Sequence, residues 1–157
     1  MTAFLLSVHV LAAILTIGPV AIAASMFPRS ARLALASPDH PRRGAAVRIL
    51  HRITRVYAVI GVLVPVFGLA TAASLGVLGD AWLIASMVLT AAAAAMLVAL
   101  VLPGQRRVLR QLDDGPGSEP PPAVRMLGMQ AGVFNLLWAI VVVLMVYRPG
   151  STTGAGL

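Results

Sequence analysis

Four stretches of this chain carry no Lys, Arg, Asp or Glu: Ala3–Met26, Val56–Leu78, Ala81–Leu102 and Met126–Tyr147. Each is close to the ~20 residues that an α-helix needs to cross about 30 Å of hydrocarbon. In lipid the backbone must satisfy itself, which an open chain does only as a helix. The reading is therefore an all-α, polytopic membrane protein. Its four transmembrane helices span about 3–26, 42–78, 81–102 and 126–147 in an up-down bundle, as one domain over residues 1–157. Composition agrees. The chain is 59% hydrophobic and 11% charged, against roughly 25% charged in soluble domains.

The first run has no basic residue before it and is longer than the roughly 7–15 residues of a signal-peptide core. It reads as a retained helix. Orientation follows from arginine, because all 12 basic residues are Arg. Seven (Arg29, Arg32, Arg42, Arg43, Arg48, Arg52, Arg55) follow the first run, and four (Arg106, Arg107, Arg110, Arg125) follow the third. The Gly79-Asp80 turn has none, and the tail has only Arg148. The positive-inside rule puts the Arg-rich loops in the cytoplasm and both termini outside, in the plasma membrane of a bacterium. Gly79-Asp80 then closes a tight antiparallel hairpin at the outer face.

The net charge of +7 is explained by this placement, and nucleic-acid binding is not expected. Ser37 to Pro41 reads as a turn with Asp39 as a helix N-cap. From Arg42 to Tyr57 the pattern is amphipathic, with Arg48, Arg52 and Arg55 on the polar face. That face suits anionic headgroups, at ~1 kcal/mol per basic residue near such a surface. A cytoplasmic partner docking there is the alternative. Residues 111–123, rich in Asp, Gly and Pro, read as a flexible cytoplasmic linker, and 149–157 as a disordered tail. Gly68, Ala72 and Gly76 offer a small-residue stripe for helix packing. Pro19 and Pro65 should bend their helices, and such bends can open a cavity. Trp82 and Tyr147 read as anchors at the outer boundary, Tyr57 at the inner one.

Polar side chains at membrane depth are the candidate sites. At ~1.5 Å per residue, His9 lies roughly 9 Å below the outer end, level with Thr71, Ser86 and Met87. His51 is roughly 25 Å or more away on the same count, so the two histidines do not share one metal. Three roles stay open for His9. It can be a neutral imidazole bonded to Thr71 or Ser86. It can ligate haem b or copper, with Met87 or Met145 as a soft partner. It can relay protons. Asn135 and Gln130 read as interhelical hydrogen-bonding residues. No cysteine is present, which excludes thiolate metal sites. All carboxylates lie outside the runs, so carboxylate acid–base catalysis within the bundle is not expected.

Two stretches carry a resemblance. His9-Val10-Leu11-Ala12-Ala13-Ile14-Leu15-Thr16-Ile17-Gly18 resembles the opening helix of an uncharacterised bacterial family of predicted integral membrane proteins. Leu144-Met145-Val146-Tyr147-Arg148-Pro149 resembles that family's closing signature. The family looks related to CopD-type copper-resistance proteins and HemJ-type protoporphyrinogen oxidases, both small helical membrane bundles. In the HemJ type the first-helix histidine is associated with haem, and it maps onto His9. Thr16 stands where the family often has Trp, Pro19 where it has a second Gly, and Arg148 where Lys is usual. The HemJ-type catalytic lysine has no counterpart in a chain without Lys, so oxidase activity does not carry over. The sequence thus leaves a non-catalytic membrane subunit or scaffold, a haem- or copper-linked protein using His9, and a small oligomeric transporter. The partners it suggests are lipid, further copies of the chain, or another membrane protein.

Overall fold

The computed structural model describes residues 1–37, 39–114 and 122–150. Among these every regular element is helical: α1 (Thr2–Leu35), α2 (Pro41–Ile60), α3 (Leu63–Leu75), α4 (Ala81–Met96), a π-helical turn (Leu97–Val101), α5 (Leu102–Asp114) and α6 (Pro122–Tyr147). They form four spans long and apolar enough to cross a membrane. The protein is an integral membrane four-helix bundle. Its outward surface is correspondingly apolar, with Leu11, Ile14, Leu15, Val59, Val88, Leu136 and Val143 all exposed.

The spans differ from the apolar runs where charge ends the membrane but not the helix. α1 continues past Met26 to Leu35, because Phe27, Ala31 and Ala34 repeat at helical spacing and are buried. The third span does not stop at Leu102. It passes Pro103 by widening one turn, where Leu102 N–H reaches Leu97 O. Pro103 has no N–H, and in an α-helix its ring would press on the carbonyl of Ala99. The wide turn relieves this. Beyond it, Gln105 and Val108 are buried while Arg106, Arg107 and Arg110 point away. Residues 111–114, read as linker, belong to α5. The rest of that linker up to 121, and the tail from 151, lie outside the described residues.

The second span runs from Pro41 to Leu75. Its helix tightens at Gly61-Val62, just before Pro65, where both residues keep right-handed helical backbone. Gly76 adopts φ 71°, with Gly76 N–H on Ala73 O and Val77 N–H on Ala72 O, both at 3.2 Å. This is a Schellman ending. Gly76 therefore terminates a helix rather than extending the packing stripe. Gly76→Ala should cost about 1 kcal/mol, because Cβ strains a left-handed residue; thermal unfolding in detergent checks this. The N-cap of α2 is His40, in an extended conformation before Pro41, and not Asp39.

α1 packs along α2, α3 and α6, and α4 packs on α6. α3 and α4 meet at their connecting turn, through Ala72, Val77, Trp82 and Leu83 with Leu75 and Met145 against them. The hairpin is tight there, whereas its two arms pack chiefly on other helices. Trp82 is buried, with Nε1–H on Asp80 Oδ2 at 3.0 Å and the Arg148 guanidinium 5.6 Å from its ring centre. It closes the bundle end and is not a lipid-facing anchor. The main core gathers toward the Arg-rich end around Phe27, Val47, Ala93, Val101, Val108 and Phe134.

Candidate functional site

His9 faces α3 from the second turn of α1. Its Nδ1 lies 2.9 Å from the backbone oxygen of Val64. A carbonyl only accepts, so Nδ1 is the donor; in the neutral tautomer Nε2 then keeps its lone pair. The ring sits where Gly68 has no side chain. A Cβ built there would lie 2.9 Å from His9 Cε1 and 3.2 Å from Nδ1. Gly68 is thus a seat for the imidazole, and the pair fastens α1 to α3.

The other members of the expected polar layer are engaged elsewhere. Thr71 Oγ1–H donates to Phe67 O at 2.7 Å and Ser86 Oγ–H to Trp82 O at 2.8 Å, each within its own helix. Met87 is 42% exposed on the lipid-facing surface. Met145 packs at the Trp82 end. The structure does not bring Thr71, Ser86 or Met87 into hydrogen-bonding contact with His9. Since Ser86 bonds only its own turn, Ser86→Ala should cost under about 1 kcal/mol despite complete burial. Chemical denaturation in detergent measures it. Among the described residues no group of three His, Cys, Asp or Glu could hold a metal. His9 alone offers a single nitrogen donor.

A second polar cluster lies at the Arg-rich end and turns on Gln105, which the sequence reading did not single out. His51 Nδ1 is 2.9 Å from Gln105 Oε1. Gln105 Nε2 is 3.5 Å from Thr54 Oγ1, whose own proton goes to Leu50 O at 2.9 Å. The directions are fixed by the last bond. Thr54 has given its proton, so it accepts from the amide nitrogen; Gln105 Oε1 then faces His51, whose Nδ1 must be the donor. Gln105 and Thr54 are wholly buried. The cluster joins α2 to α5. Gln105 occupies an inward position of the stripe Leu102, Val108, Leu109 and Leu112. Extending the helix past Pro103 was the signal that would have found it.

Around this cluster the arginines spread outward. Arg48 pairs with Asp113 at 2.5 Å, with both side chains more than half exposed. Arg52 and Arg55 are exposed on the same stripe. Arg43 turns back to Ser37 Oγ at 2.6 Å and Leu33 O at 3.3 Å, closing the α1–α2 turn. Asn135 Nδ2 donates to the exposed Ser25 Oγ at 2.9 Å, linking α6 to α1. No family model matches the chain, and comparisons with curated proteins and with solved structures find no match.

Proposed function

We propose that this protein is a non-catalytic membrane subunit or scaffold. It sits in a bacterial plasma membrane with its Arg-rich end in the cytoplasm and Arg48, Arg52 and Arg55 toward anionic headgroups. The observation that carries this reading is the state of His9. Its Nδ1 is tied to a backbone carbonyl, and its ring is seated on a glycine of the neighbouring helix. Such an imidazole holds helices together. Thr16, Thr71 and Ser86 bond their own helix and Asn135 Nδ2 bonds Ser25 of α1, which is the pattern of packing. Purification in mild detergent tests the reading. A partner retained at fixed stoichiometry, or a stable homo-oligomer, is expected; a solitary monomer contradicts it.

One observation favours a second reading. With Nδ1–H on a carbonyl, Nε2 presents its lone pair in the tautomer that metal-bound histidines use. The resemblance to HemJ-type and CopD-type bundles points the same way, to an axial haem ligand or a copper ligand at His9. The chain supplies one nitrogen toward it, and any further ligand has to come from a cofactor or a second chain. A Soret band or stoichiometric copper that disappears in His9→Ala would establish this reading.

A further inference from the structure

The second and third spans are joined at both ends and stand apart between them. At the hairpin turn Ala72 and Val77 pack with Trp82 and Leu83. At the Arg-rich end His51 and Thr54 meet Gln105. Between these contacts neither α2 nor α3 packs along α4; the first two lie on α1 and the third on α6. The side chains that line the gap from the two spans include small ones, Ala58 and Gly61 on one wall and Thr90 and Ala94 on the other. They leave a half-open cleft of about 110 Å³, lined also by Ile17 of α1 and by Phe134 and Trp138 of α6. Val62 and Ala94, both in its lining, are exposed.

The lining is almost wholly apolar, and it belongs to four helices that are long and apolar enough to span a membrane. An apolar gap left empty forfeits dispersion contacts along its walls. Water does not suit it, because each buried molecule needs two to four polar partners, and Thr16 Oγ1–H is already given to Ala12 O at 2.6 Å. A helix of a second copy, about 10 Å across, is too wide to enter. A hydrocarbon chain coming from the bilayer fits. Charge supplies the other half of such a ligand. Arg55 precedes Val62 by two helical turns, about 10 Å, on the same side of the helix. It is exposed. Arg48 is paired with Asp113, whereas Arg55 has no carboxylate partner among the described residues. From Arg55 to Pro65, which also lines the cleft, is about 15 Å. That is half of the ~30 Å hydrocarbon thickness, the depth that one acyl chain covers.

We infer that the cleft between the second and third spans seats one acyl chain of an anionic phospholipid whose phosphate rests on Arg55. The inference rests on the reading that the Arg stripe faces anionic headgroups, and it is independent of the role of His9. Fluorescence quenching in lipid vesicles tests it. The chain has two tryptophans; Trp138 lines the cleft and Trp82 packs at the hairpin turn. In Trp82→Phe protein, phosphatidylglycerol with brominated acyl chains, added as a minor component to phosphatidylcholine, should quench Trp138 several-fold more than equally brominated phosphatidylcholine at the same mole fraction. Arg55→Gln should remove that preference. Ala94→Leu, which fills the cleft from α4, should cut the quenching by either lipid. Native mass spectrometry needs no tryptophan variant: the wild-type protein should retain one phosphatidylglycerol per chain, and Arg55→Gln should lose it. Equal quenching by the two lipids, unchanged in either variant, overturns the inference. A preference for phosphatidylglycerol that Arg48→Gln or Arg52→Gln weakens as much as Arg55→Gln keeps the headgroup reading and overturns the seat. No preference in any of these proteins overturns both.

Discussion

Gln105→Ala should lower the unfolding free energy in mild detergent by about 3 kcal/mol, and Gln105→Leu by only about 1. The two substitutions separate two contributions. Both remove the hydrogen bonds to His51 and Thr54. Interhelical polar bonds in membrane proteins average about 0.6 kcal/mol each, so losing two costs about 1. Alanine also opens a void in a site with no exposed surface, and cavities left by truncating a large side chain add about 2 kcal/mol more. Leucine nearly fills the space. Equal losses for the two variants would mean that hydrogen bonding dominates, and that packing does not hold this end together.

The second large effect is expected at Gly68. Gly68→Ala places a methyl group 2.9 Å from His9 Cε1, so the ring must move or α1 must lift from α3. Overpacking of this kind costs about 2 kcal/mol. Removing the ring removes the obstacle. In a His9→Ala background the same Gly68→Ala change should be close to neutral, which gives a coupling of about 1–2 kcal/mol in a double-mutant cycle. Additive effects would show that the imidazole is not seated on Gly68.

These two positions also show what the sequence made legible. Four spans, a shared face for both termini and an arginine-rich opposite end follow from run length and charge, because lipid imposes one rule on every residue of a span. Gly68 was visible as a small residue suited to close packing. Its partner was not. Depth pairs His9 with hydroxyls, whereas Thr and Ser in helices bond their own preceding turn, and the available acceptor is the backbone oxygen of Val64. A carbonyl is present at every position and leaves no mark in a sequence. Gln105 is hidden for a different reason. The charges at Arg106 and Arg107 mark where the apolar run ends, but the helix continues to Asp114. The π turn that carries the chain past Pro103 preserves an inward stripe across that boundary.

The role proposed for His9 is to dock one helix on another. The most direct test is the absorption spectrum and metal content of the protein purified from its own membrane in mild detergent, beside the His9→Ala variant. A docking role predicts no Soret band and no stoichiometric copper in either protein, with the variant only less stable. A Soret band or bound copper in the wild-type protein that is lost in His9→Ala would contradict it.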